Sequence, residues 1–131
     1  MPKTIKISVT GKYQNTKKWL KKLQHLDEVI YPILREYGEW GLQNLRNYTP
    51  KDTGRTAESW YYKIEGKHGS YQLIFDNRNR TVEGTPIVLL LEYGHGTKSG
   101  TFVPGYDFIG PAIRPIFDEL KEKVWEEVVR L

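Results

Sequence analysis

The sequence predicts an α+β domain: a small antiparallel β-sheet with a central β-hairpin, packed against a long helix in the N-terminal half and a second helix at the C-terminus. Three observations predict it. Apolar residues recur at i, i+3, i+4 spacing from Leu26 to Leu45. The period then drops to two around Trp60, Tyr62 and Ile64, and again around Tyr71, Leu73 and Phe75. It returns to 3.6 beyond Pro111. The 131 residues contain no internal repeat, low-complexity tract or long linker, so residues 1–131 are expected to form a single domain.

Taken in order, residues 4–10 alternate, with Ile5, Ile7 and Val9 on one face and Lys6 and Ser8 on the other, which predicts a short half-buried strand. Asn15 or Thr16 can cap a short basic helix reaching Gln24, with Trp19, Leu20 and Leu23 on its buried side. The long amphipathic pattern follows: Leu26, Val29, Ile30, Ile33, Leu34, Tyr37, Trp40, Gly41 and Leu45. Pro32 falls inside it, where it either kinks the helix or marks the start of regular hydrogen bonding. Tyr48-Thr49-Pro50 ends the helix. Beyond the polar loop 49–55, folding the alternating runs about 66–69 pairs Ile64 with Tyr71, Tyr62 with Leu73, and Trp60 with Phe75. All six apolar side chains then share one face, and Trp60 is expected in the core. Residues 76–86 read as a polar loop. Ile87–Tyr93 is apolar throughout and fits either a buried strand or a short helix, while 94–105, with four glycines, reads as a mobile loop. The last helix starts near Pro111 with Ile113, Ile116, Phe117, Leu120, Val124, Val128 and Leu131 as its stripe.

Composition removes several function classes. There is no cysteine, so thiolate catalysis, disulfides and cysteine-ligated zinc or iron–sulfur sites are excluded. The longest apolar run is far below the ~18 residues of a membrane span, and no apolar stretch follows Met1, so neither a membrane nor a secretion signal is expected. The net charge of +4 is uneven: residues 1–67 carry 13 Lys and Arg against 7 Asp and Glu, and residues 68–131 carry 7 against 9. A basic half faces nucleic acid or an acidic protein surface, and the other half of this chain is one such surface.

No candidate active site holds up on spacing. His68-Gly69-Ser70 and His95-Gly96-Thr97 repeat the His-x-Ser/Thr signature of two-histidine phosphoesterases, whose imidazoles act as general acid and base. Here both triplets fall in glycine-rich turns instead of strands, so turn histidines without phosphodiesterase activity are expected. Residues 94–100 lack the glycine spacing of a phosphate-binding loop, with Thr97 and Glu92 where glycines are required. Asp52 sits among Pro50, Thr53 and Gly54, the residues of a turn. There is no His-Glu-x-x-His and no spaced carboxylate pair, so neither cofactor nor metal is expected. Lys17, Lys18, Lys21 and Lys22 around Trp19 can grip phosphates, which makes a nucleic-acid-binding module the alternative reading. The terminal helix, with Asp118, Glu119, Glu122, Glu126 and Glu127, lacks the basic face of a double-stranded RNA-binding domain.

The long helix, the loop Thr49-Pro50-Lys51-Asp52-Thr53-Gly54-Arg55, the aromatic strand, Leu91-Glu92-Tyr93-Gly94 and Pro111-Ala112-Ile113 come in an order that resembles the tail-completion and head-to-tail joining (neck) proteins of long-tailed phages, over about residues 26–131. Where family members commonly have Arg-Pro-Phe, this chain has Tyr106-Asp107-Phe108-Ile109-Gly110. The resemblance implies a structural, non-enzymatic virion protein made in the host bacterial cytoplasm. It implies a homo-oligomeric ring, often of six copies, at the head–tail junction, with tail tube and head connector proteins as partners.

The residues fit such a role. Trp125 and Val129 lie outside the main stripe of the terminal helix, and Tyr61 is an aromatic on the outer strand face. A ring needs a heterologous contact, for which Lys17, Lys18, Lys21 and Lys22 on one helix and Glu122 and Glu126 on another are the expected charged faces. His95, Thr97, Lys98 and Phe102 are expected in a loop that a partner orders.

Overall fold

The computed structural model describes residues 5–10, 17–50, 54–67 and 69–130. Its architecture is α+β. The element order is β1 (Ile5–Thr10), α1 (Lys17–Tyr48), α2 (Arg55–Glu58), β2 (Trp60–Lys67), β3 (Ser70–Asn77), α3 (Ile87–Tyr93), β4 (Gly94–Gly96), β5 (Phe102–Pro104) and α4 (Ile109–Val129). The three-stranded sheet has the order β1-β3-β2, antiparallel throughout, and β4 pairs with β5 in a separate two-stranded ribbon. Helix α1 packs on β2 and β3 and also on α4. One hydrophobic cluster runs through all of them, from Ile7 to Val124.

The basic segment and the long amphipathic segment form one helix of 32 residues, not two. No glycine or proline separates Gln24 from Leu26, so nothing interrupts the hydrogen-bond ladder there. The expected caps Asn15 and Thr16 lie outside the described residues, as do the side chains of Trp19, Leu20 and Leu23. Pro32 stands well inside α1 with its ring exposed. On that side, solvent can bond the carbonyl that a proline nitrogen leaves without a donor. Because α1 meets the sheet and α4 on different flanks, its buried surface is wider than a single stripe and takes in Leu42 as well. Two glycines let the sheet approach closely. A Cβ on Gly38 would stand 2.6 Å from the Tyr62 ring, and one on Gly41 would stand 2.4 Å from Phe75 Cζ.

The hairpin forms, but its register differs from the expected one by two residues. Ile64 faces Leu73, Tyr62 faces Phe75 and Trp60 faces Asn77. The strands continue through Gly66 and Lys67 and close at the Lys67–Ser70 pair. That leaves a loop shorter than the four residues expected, with Gly69 at φ +91° supplying the left-handed backbone that such a tight turn demands. A slip of two preserves side-chain parity, so every residue expected on the core face is still there. Trp60, Tyr71, Leu73 and Phe75 are fully buried. Burial, together with a hydrogen bond from the Tyr71 hydroxyl to Asp27, pushes the Tyr71 phenol well above its ordinary range.

Ile87–Tyr93 resolves as helix α3. Only Val88 is fully buried; Ile87, Leu89, Leu90 and Leu91 are half-buried and Tyr93 is exposed, a spread that a fully buried strand would not give. Residues 94–105 are not an open loop, since β4 and β5 pair through His95 and Val103. Helix α4 begins at Ile109, two residues before Pro111, and buries Ala112, Ile113, Ile116, Leu120 and Val124. Phe117, expected in the stripe, is 45% exposed on the outer side, and Ala112 packs inward in the first turn. Leu131 lies outside the described residues.

Helices α1 and α4 run antiparallel. The Asn44 side chain donates to the Ala112 carbonyl at 3.1 Å, while Tyr37, farther back along α1, lies near residues farther on in α4. Burial raises the Tyr37 phenol, and the carboxylates of Glu119, Glu36, Glu126 and Glu122 add to the rise.

Candidate interaction surfaces

Two exposed apolar surfaces stand out among the described residues, and they lie at opposite ends of the α1–α4 pair. The first is the outer side of α4. Trp125 and Val129, one turn apart, are 68% and 64% exposed, and Phe117, earlier in the helix, is 45% exposed. Glu122 and Glu126, one turn apart and both exposed, run alongside. Trp125 thus presents its indole to solvent beside Lys121, Glu122 and Glu126, on an apolar strip that the other described residues do not cover.

The second surface is built by the β4–β5 ribbon. Glu92, Gly94 and Tyr106 root it: the Tyr106 amide donates to the Leu91 carbonyl at 2.8 Å, and Gly94 adopts φ +83° where an added Cβ would meet the Val103 carbonyl at 2.6 Å. The tip is tied by hydroxyls. Thr97 and Thr101 side chains stand 2.6 Å apart, Thr97 and Ser99 3.0 Å, and the Thr97 amide donates to the Thr101 carbonyl at 2.8 Å. Lys98 is exposed at this tip. Phe102, Val103, Tyr93 and Tyr106 are all substantially exposed. Between the ribbon and the C-terminal end of α1 lies an open cleft of about 550 Å³, with Tyr48, Pro50, Leu91, His95, Val103 and Tyr106 among its walls. The Nδ1 atom of His95 is buried and finds no hydrogen-bond partner among the described residues. Of the residues expected in a partner-ordered loop, the structure thus places His95, Thr97, Lys98 and Phe102 on one ribbon.

The other expected surface residues fare differently. Tyr61 is already engaged within the chain: its hydroxyl donates to Asp76 Oδ2 at 3.3 Å and the Arg78 guanidinium stacks on its ring at 4.2 Å. Lys17, Lys18, Lys21 and Lys22 occupy the first turns of α1, and Lys21 is exposed. Since α4 runs antiparallel to α1, these lysines and the acidic stretch of α4 lie toward the same end of the helix pair. Asp52 and His68 lie outside the described residues.

Sequence reasoning missed two groups. The first is Glu92, whose Oε2 accepts from the backbone amides of Phe108 (2.9 Å) and Ile109 (3.4 Å). Helix α4 has Phe108 at its N-cap position, with no side-chain cap of its own. Glu92 supplies one from sixteen residues upstream and places a negative charge at the helix N-terminus. The absence of Ser, Thr, Asp or Asn immediately before Ile109 was the available signal. Glu92→Ala should cost about 1–2 kcal/mol in urea denaturation. It should also raise hydrogen exchange in the first turn of α4 while leaving β2 and β3 protected.

The second is a polar hub at the end of β3. Asp76 Oδ2 accepts from Arg80 Nη2 at 2.6 Å, Asp76 Oδ1 accepts from the Asn77 amide at 2.8 Å, and Arg80 Nη1 donates to the Gly84 carbonyl at 2.9 Å. The fully buried Asn77 donates to the Thr56 carbonyl, and Asn79 Nδ2 donates to the Thr56 hydroxyl, both at 2.8 Å. Residues 76–86 are therefore a folded turn that ties α2 to the sheet and leads into α3.

Among the described residues no group of three or more potential metal ligands gathers, and no helix is long and apolar enough to cross a membrane. No family model, curated protein or solved structure matches the chain.

Proposed function

We propose that this chain is a structural protein of a phage or prophage particle, which assembles head-to-tail into a ring at the junction of head and tail. The observation that carries the ring is the pair of unlike exposed surfaces at opposite ends of the α1–α4 pair. From Ala112 to Trp125 is 13 helical residues, roughly 20 Å along the axis at about 1.5 Å per residue. Two different surfaces so separated suit a heterologous contact, which closes into a ring when the rotation between neighbours permits. Aromatic side chains left exposed on a small folded chain are the usual anchors of such contacts. The ordered motifs that resemble tail-completion and neck proteins supply the particle context. In this reading Glu92 and Gly94, within the Leu91–Gly94 segment of that resemblance, support the shape of the ribbon.

The test is the mass of the purified protein under native conditions, with electron microscopy of the same sample. A closed ring of defined copy number is the expected result. A strict monomer at high concentration that binds DNA or RNA would overturn it in favour of a nucleic-acid-binding module.

A further inference from the structure

We infer that β2 pairs edge to edge with β2 of a second copy, antiparallel and centred on Ile64, so that the two three-stranded sheets become one. The contact uses neither the outer strip of α4 nor the ribbon. It therefore stands apart from the ring reading, and between rings it joins two of them face to face.

Backbone geometry limits how two such edges can meet. In the order β1-β3-β2, strand β2 is an edge. The Arg78 amide donates to the Ser59 carbonyl at 3.0 Å, one step before the Trp60–Asn77 pair. By the alternation of an antiparallel ladder, Tyr61, Lys63, Glu65 and Lys67 turn their backbone groups to β3, while Tyr62, Ile64 and Gly66 turn theirs outward. The Gly66 carbonyl accepts from the Tyr31 hydroxyl, as an outward group can, and keeps a second lone pair. An antiparallel partner must set outward residues against outward residues, which leaves few registers.

Charge chooses among them. The outer face of β2 reads Tyr61, Lys63, Glu65, Lys67. With Ile64 opposite its own copy, Lys63 meets Glu65 of the other molecule twice, and Tyr61 meets Lys67 twice. Centring on Lys63 sets two lysines together. Centring on Glu65 opposes two carboxylates and also sets Lys63 against Lys67. Centring on Tyr62 or Gly66 pairs only part of each Trp60–Lys67 strand. Lysines on an edge ordinarily discourage pairing, but Glu65 between them makes this edge complementary to itself in one register. Glu65 already pairs with Lys63 of its own strand at 3.3 Å, so the contact extends an existing pair into a network.

The core side agrees. Tyr62 and Ile64 are half-buried, whereas Tyr71, Leu73 and Phe75 on the same face are fully buried. Ile64 of the second copy covers that open margin. Helix α1 leaves room for it, since it lies beneath both strands, with Gly38 against Tyr62 and Gly41 against Phe75. Neighbouring strands stand about 4.8 Å apart, so two helices so placed come to roughly 10 Å, the spacing of packed helices.

The test is charge exchange at two exposed side chains, Lys63 (47%) and Glu65 (45%). In sedimentation equilibrium, Lys63→Glu or Glu65→Lys alone brings like charges together and should weaken the pairing about tenfold or more. Mixing the two single variants should restore it, because each supplies the charge the other lacks. Exchanging both residues in one chain should restore it too. The chain has no native cysteine, so Ile64→Cys should give covalent dimers and nothing larger under mild oxidation. Opposed residues of a hydrogen-bonded pair stand about 5.5 Å apart at Cα, within disulfide reach. Equal association of parent and single variants, no rescue on mixing, or Ile64→Cys that stays monomeric on a denaturing gel would each overturn the contact. A ring by native mass alongside any of these results leaves the ring reading standing. Covalent dimers and charge rescue without any ring remove the ring reading and keep this contact.

Discussion

Trp60→Ala should destabilise the protein by about 3–5 kcal/mol, a fall in melting temperature on the order of 10–20 °C. Trp60 is 1% exposed at the start of β2, so truncation removes a large buried apolar surface and leaves a cavity beneath the sheet. The loss also reaches the helix end. The Trp60 indole N–H donates to Thr49 Oγ1 at 2.8 Å, and that hydroxyl in turn donates to the Leu45 carbonyl at the last turn of α1. Thr49 is 2% exposed, so no solvent replaces the indole. Trp60→Phe separates the two contributions. It retains most of the apolar volume but loses the hydrogen bond and a small part of the ring, and should cost about 1–2 kcal/mol. Equal melts for the parent and Trp60→Ala would mean that the hairpin face is wrongly assigned.

Asp76→Ala should cost about 3 kcal/mol, because it removes the carboxylate facing a largely buried guanidinium. The Asp76 and Arg80 side chains are 10% and 19% exposed, and their contact is 2.6 Å. With the carboxylate gone, the Arg80 charge loses this partner in a site that water reaches poorly, and the Asn77 amide and the Tyr61 hydroxyl lose an acceptor as well. Removing both charges is the informative comparison. Asp76→Ala combined with Arg80→Met should be less destabilised than Asp76→Ala alone, since the guanidinium no longer sits in that site without the Asp76 carboxylate. Urea denaturation of the two single variants and the double variant measures the coupling. Strict additivity would show that the pair is not an energetic unit and that the turn 76–86 is held by its backbone bonds.

Much of the fold was legible because burial follows periodicity. The 3.6-residue spacing from Leu26 to Leu45 became α1, and the period-two runs at Trp60–Ile64 and Tyr71–Phe75 became the two strands of the hairpin. The observed register differs from the expected one by two residues without changing the core, since a slip of two keeps each side chain on its face. What pattern alone did not specify was any feature whose cause is a distant residue. The seven apolar residues of α3 carry no period that separates helix from strand. The ribbon of residues 94–105 has no local period to mark it, because its pairing is tied by hydroxyl contacts across the tip and by the Leu91 carbonyl.

The surfaces divide in the same way. Trp125 and Val129 were recognisable as apolar residues off the main stripe, a property of helical phase within one element. Phe117 belongs to the expected stripe, and only the position of α1 against α4 decides that Ala112 packs inward while Phe117 stays outside. Tyr61 has the strand parity of an exposed aromatic, yet Arg78 and Asp76 occupy it from another turn of the chain. The cleft around His95 has one wall from the end of α1 and the others from α3 and the ribbon, with Leu90 forty-two residues beyond Tyr48. The sequence by itself determined which faces are apolar and which elements carry them, because those depend on local spacing and the transfer of side chains out of water. Tertiary structure decided which polar groups satisfy one another and where a surface is left uncovered, because hydrogen bonds and clefts depend on distances between segments that no local period encodes.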